Sequence, residues 1–134
     1  SLFHIGLVYD VIRKDYETAA EYHEQAYQLA IDHEALVVAS YAVRHLGFAH
    51  LAAGELAAAE RHFETSLALR ETAVFVPGAA FAWVALAQLE MAKENPACAA
   101  DHLRQARAIL QRLDAAPRVA WLDGLLAALQ KEVA

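Results

Sequence analysis

Seven histidines in a chain of 134 residues are the first groups to test for chemistry, because imidazole can ligate a metal or act as a general base near neutral pH. Their spacing supports neither use. His23-Glu24 and His33-Glu34 lack the second histidine of the metalloprotease helix motif. His45 and His50 are five residues apart, which on a helix places them on different faces rather than one above the other. His23 and His50 fall on large core positions of neighbouring structural units, so the two could approach each other. Buried, neutral, hydrogen-bonded histidines are the expectation there, and a shared metal or pH-sensitive contact is the alternative.

The other reactive residue types are equally sparse. Cys98 is the single cysteine, so there is no disulfide framework and no multi-thiolate zinc site. It reads as a small buried apolar filler with no basic neighbour to lower its pKa. Ser1, Ser40 and Ser66 lie in a terminus or in helices, without the sharp elbow that exposes a nucleophile. Glu17, Glu21 and Glu24 recur at helical spacing and suit a solvated face. No glycine loop could cradle a phosphate. The chain is therefore expected to be no enzyme and to carry no catalytic residue, metal or cofactor.

Composition limits the partners. A formal charge of -6, with no local basic cluster, removes the electrostatic attraction on which nucleic-acid affinity depends. No apolar run approaches the roughly 18 to 20 residues of a membrane span, and the N-terminal stretch lacks a signal-peptide pattern. A soluble, cytoplasmic protein is expected, with neither nucleic acid nor membrane as partner. Because Leu2 to Val11 already reads as helix directly after Ser1, the chain is expected to be cut from something longer. The apolar fraction of 58% is raised by abundant alanine, the best helix former, and so points to closely packed helices. A chain of this length can bury roughly two thirds of its unfolded surface.

What must position any site is a repeat. Ala19, Ala59 and Ala99 are spaced by 40 residues, as are His23, Phe63 and Leu103, and Ala26, Ser66 and Ala106. This small-large-small pattern marks one helical face. Asp15-Tyr16, Glu55-Leu56 and Asn95-Pro96 precede each set and act as turn and helix start, with proline tolerated in a first turn. Leu46-Gly47-x-x-His50 and Leu86-Ala87-x-x-Glu90 repeat the preceding helix, and Ile5-Gly6-x-x-Tyr9 is displaced by one residue, as a longer turn in the first pair would cause. Mid-helix glycine costs about 1 kcal/mol against alanine, so Gly6 and Gly47 mark a close approach between helices.

The periodicity predicts helices near 2–13, 16–32, 35–53, 56–71, 79–93 and 96–112. Ala115-Ala116-Pro117 then interrupts the chain before a last helix whose Val119, Leu122, Leu125, Leu126, Leu129 and Val133 form an apolar stripe. That helix should cover the open end of the stack, with docking onto another subunit as the alternative. Between 72 and 78, the apolar Val74-Phe75-Val76 is unusual for a connector and should fold back onto the core or offer an exposed contact.

Leu46-Gly47-Phe48-Ala49-His50, Gly54-Glu55-Leu56, Ala59, Phe63, Ser66 and Leu67 resemble the tetratricopeptide repeat signature, with histidine in place of its usual tyrosine. Trp83, Leu86, Ala87, Ala99, Leu103 and Ala106 give a second such match; Ile5, Gly6, Tyr9, Asp15-Tyr16, Ala19 and Ala26 give a third. The period of 40 exceeds the usual 34, and Pro96 stands where an aromatic is common. Long repeats of this kind resemble those of bacterial multidomain regulators and kinesin light chains, and eight arginines against three lysines favour a bacterial source.

The resemblance implies an all-α, right-handed α-solenoid forming one domain over residues 1–134, with repeats at about 1–34, 35–74 and 75–113 and a capping helix at 117–133. It also implies that first helices of successive repeats line a concave groove. By position that lining is Phe3, Leu7 and Asp10; then Tyr41, Arg44, His45, Phe48 and Leu51; then Phe81, Val84, Gln88 and Met91. Such a groove is apolar and aromatic, with Arg44 alone able to serve a carboxylate. It therefore suits a hydrophobic or amphipathic segment of a protein or peptide partner rather than an acidic tail. A structural homodimer is the alternative, and sensing of a signal peptide or small molecule, which needs a closed pocket, is a third.

Overall fold

A computed structural model describes residues 16–133 of the chain, and these form α-helices joined by short turns, with no strand among them. The helices are α1 Tyr16–Asp32, α2 Leu36–Ala52, α3 Leu56–Thr72, α4 Val76–Ala92, α5 Pro96–Arg112 and α6 Ala116–Val133. The first five are each 17 residues long. Three-residue connectors separate them, so the 40-residue sequence period is two helices of one common length with their two connectors.

The connectors explain that regularity. Glu34, Gly54, Val74, Glu94 and Asp114, every twentieth residue, have positive φ. At four of these turns the next residue donates its N–H back five positions, from Ala35 to Ala30, Glu55 to His50, Asn95 to Glu90 and Ala115 to Leu110, at 2.8 to 3.0 Å. This is the Schellman arrangement, which satisfies the last helical carbonyls and turns the chain within one residue. The residue after the left-handed one is already the N-cap of the next helix. Asn95 alone among the N-caps described for α2 to α5 uses its side chain, accepting from the Cys98 N–H at 3.4 Å ahead of Pro96.

Among the described residues, the connector before α4 differs most from expectation. Helix α4 starts at Val76 rather than near 79, because Pro77 fits a first helical turn and a three-residue turn needs no more chain. Phe75 folds back over Gly78, where any side chain would collide with its ring. Val74 and Val76 instead face solvent, at 77% and 40% exposure. Val74 is also a β-branched residue at φ 56, a conformation that costs an L-residue roughly 1–2 kcal/mol. Val74→Gly is expected to raise stability by about 1 kcal/mol, which thermal unfolding would register as a rise of roughly 3–4 °C.

The chain divides into two compact units, Ser1–Val74 and Phe75–Ala134. Within the first, α1 packs on α2 and α2 on α3; within the second, α4 packs on α5 and α5 on α6. The small-large-small register is buried in both. Ala59, Phe63, Ala99 and Ala106 are wholly inaccessible, and Ala26 and Leu103 nearly so. Gly47 marks the contact anticipated for it, since a Cβ there would lie 2.5 Å from the Phe63 ring. Gly6, and the one-residue slip of the first pair, lie outside the described residues. In the second unit Leu122 and Leu129 bury one side of α6 against a core of Val84, Leu103 and Leu110, with Val119 and Leu126 packed at its margin. Arg107 reaches across from α5 to chelate the Asp123 carboxylate. Leu125 is left 36% exposed and Trp121 47% exposed.

Candidate partner-binding face

Three of the predicted groove residues, Phe3, Leu7 and Asp10, lie outside the described residues. The remaining nine divide between α2 in the first unit and α4 in the second. On α2, Val37, Tyr41, Arg44, Phe48 and Leu51 follow one another at intervals of three or four residues and so share a face. Val37 and Tyr41 are exposed, while Arg44, Phe48 and Leu51 are half-buried. Phe48 is anchored from beneath by Phe63, edge to face at 4.8 Å between ring centres, so its position is fixed by the core.

Two guanidinium groups lie over aromatic rings here. The Arg44 head lies 4.9 Å from the centre of the Phe48 ring, and the Arg70 head 4.6 Å from that of Tyr41. Arg70, on α3, is only 1% exposed. Its Nε donates to Ser40 Oγ at 3.1 Å; that hydroxyl donates to the Val37 carbonyl at 2.6 Å, and Ser66 Oγ donates to the Ser40 carbonyl at 2.9 Å. This chain of bonds fixes α3 against the first half of α2. Burial, then the proximity of Arg44, lowers the Arg70 pKa to about 10, with Tyr41 acting in the opposite sense. Arg70 therefore remains charged at neutral pH. Burial also lowers the pKa of Arg44, again opposed by Tyr41. Among the described residues no carboxylate is ion-paired with Arg44. The face thus combines aromatic rings with the half-buried Arg44 guanidinium.

His45 sits beside this pair. Its ring stacks on that of buried His23 at 5.0 Å, and burial, then His23, Arg44 and Arg70, lower its pKa to about 3. It is neutral at physiological pH. His50 stacks separately on His62, also at 5.0 Å, and its Nδ1 lies 3.5 Å from Glu55. The described contacts therefore place His23 and His50 in two different histidine pairs. His50, Glu21, Glu24 and Glu55 border a cleft of about 750 Å³ between α1 and α2, a polar margin unlike the aromatic stripe.

On α4, Phe81 is half-buried with the Arg118 guanidinium 5.2 Å from its ring centre, and Gln88 is exposed. Val84, at 7% exposure, belongs to the core of its unit rather than to a surface, and Met91 packs against the same core. Both belong with the buried cluster that α4 forms with Ala99 and Leu103 of α5. Cys98 also departs from expectation: it is half-buried, with Sγ 3.6 Å from His102 Nε2.

Arg70 and Ser66, both on α3, escape a reading confined to first-helix positions. The repeat register holds a signal for Arg70 nonetheless. It occupies the position of Ala30 and Leu110, both buried, so a charged residue stands in a core slot. Compared with known proteins, the chain matches no family model and no curated protein.

Proposed function

We propose that this chain is a noncatalytic interaction module of tetratricopeptide type that binds an apolar or amphipathic segment of another protein along its first-helix faces. The observation that carries this is the α2 stripe, where exposed Val37 and Tyr41 continue into anchored Phe48 with Arg44 and Arg70 set over the rings. Aromatic anchors in a partly desolvated strip are the usual source of hot-spot energy, and helical ligands offer matching side chains every three or four residues. A cytoplasmic regulator or scaffold of bacterial type fits this role. No helix of the described residues is long and apolar enough to cross a membrane.

The test is calorimetric titration of a captured partner against Tyr41→Ala and Phe81→Ala variants, both half-exposed sites whose truncation spares the core. Loss of an anchor should weaken binding at least tenfold, about 1.4 kcal/mol or more. Unchanged affinity in both variants rejects the face.

A second reading, self-association, is favoured by Trp121 and Leu125, one helical turn apart and exposed on α6. Sedimentation equilibrium at several concentrations separates the two, since a monomer throughout excludes a stable dimer.

A further inference from the structure

We propose that Glu90, Cys98 and His102 form a binding site for one thiophilic divalent cation of the zinc type, in the second unit and independent of the partner-binding face. Glu90 projects from the last turns of α4, and Cys98 and His102 stand one turn apart on α5. One ligand atom from each, Sγ, an imidazole nitrogen and a carboxylate oxygen, can be chosen so that all lie within 4.8 Å of one another.

The spacing is that of a coordination edge. With Zn–S at about 2.3 Å and Zn–N at about 2.0 Å, a tetrahedral ion separates its sulfur and nitrogen ligands by about 3.5 Å. Cys98 Sγ and His102 Nε2 are 3.6 Å apart. Both atoms belong to α5, so that edge lies within one helix. The donor set, one thiolate, one imidazole and one carboxylate, suits zinc or cobalt rather than magnesium or calcium, which prefer oxygen alone. It also balances charge, because a dication with a thiolate and a carboxylate leaves the half-buried cluster neutral. Three protein ligands leave a fourth position for water or an exogenous donor.

Two neighbours shape the site. Lys93 Nζ lies 3.5 Å from Glu90 Oε1 and must release that oxygen, which its 30% side-chain exposure allows. The Trp83 ring lies 5.3 Å from that of His102, close enough for its fluorescence to report an ion bound to the imidazole. Binding converts the Cys98 thiol to a metal thiolate, so each ion taken up releases one proton to solvent. No oxidation or reduction is involved.

The probe is Co²⁺, added to the full chain purified without a histidine tag and stripped by chelator. In a Trp121→Phe background, which makes Trp83 the only indole, one equivalent should quench its fluorescence, produce a thiolate-to-cobalt charge-transfer band and release one proton. Excess Zn²⁺ should abolish the band. Cys98→Ser should eliminate it, and Glu90→Gln and His102→Gln should each weaken binding at least tenfold. Where a glutamine variant loses helical circular dichroism, the alanine variant at the same position gives the same comparison with a better helix former. Absence of the band in folded protein under excess Co²⁺ overturns the proposal. So does wild-type affinity in both the Glu90 and His102 variants, which would leave a lone thiol.

Discussion

Replacing Gly47 by alanine should destabilise the chain by about 2 kcal/mol, although alanine is the better helix former by about 1 kcal/mol. The added methyl would sit 2.5 Å from the edge of Phe63, and that ring has nowhere to go. It is wholly buried, and Phe48 packs edge-on against it at 4.8 Å. Overpacking of this kind typically costs 1–3 kcal/mol before any compensation, and the short contact here places it at the upper end. The midpoint of thermal unfolding should fall by roughly 7 °C. A double-mutant cycle isolates the cause. Phe63→Leu alone leaves a cavity and destabilises, but combined with Gly47→Ala it should recover much of the loss, because the smaller side chain admits the methyl. Additivity of the two changes would show that Gly47 is placed for some other reason.

Acid should have a comparable effect through His45. In the folded chain its pKa is lowered to about 3, by burial first and then by His23 from α1, Arg44 beside it on α2 and Arg70 from α3. In the unfolded chain it returns to about 6.5. Below that value the unfolded state takes up a proton that the folded state refuses. Stability from this group is therefore complete above about pH 6.5 and is lost progressively as pH falls toward 3. Between pH 7 and 4.5 the full linkage is about 2.5 kcal/mol, and partial solvent access reduces it to about 2 kcal/mol. Urea unfolding at the two pH values checks this. His45→Gln, which cannot be protonated, should lose less stability than wild type by that amount. Equal losses would remove His45 as the sensitive group.

Much of the fold was legible because burial imposed the same demand at every fortieth residue. Ala59 and Ala99, or Phe63 and Leu103, occupy one slot in successive helix pairs and are all buried. Helix ends were harder to place where composition misled. Val74-Phe75-Val76 looks like a long apolar connector, yet the turn geometry uses a left-handed residue whatever its type, and Val74 takes the place held elsewhere by Gly54 or Glu94. The α2 residues of the proposed face, Tyr41, Arg44 and Phe48, were legible only through the resemblance to a tetratricopeptide groove. Arg70 was not, because it reaches that face from α3. The expectation of Cys98 as a filler without a basic neighbour overlooked His102 one helical turn on, and Glu90 joins them only through the packing of α4 on α5, which no local pattern encodes.

Photo-crosslinking tests the interaction reading most directly, with a benzophenone amino acid placed in turn at Tyr41 on the α2 stripe and at Arg61 on the exposed side of α3. A discrete adduct with one partner protein from position 41, and none from position 61, is the predicted result. An adduct from position 61 alone, or from neither position in cells that express the folded chain, would contradict it.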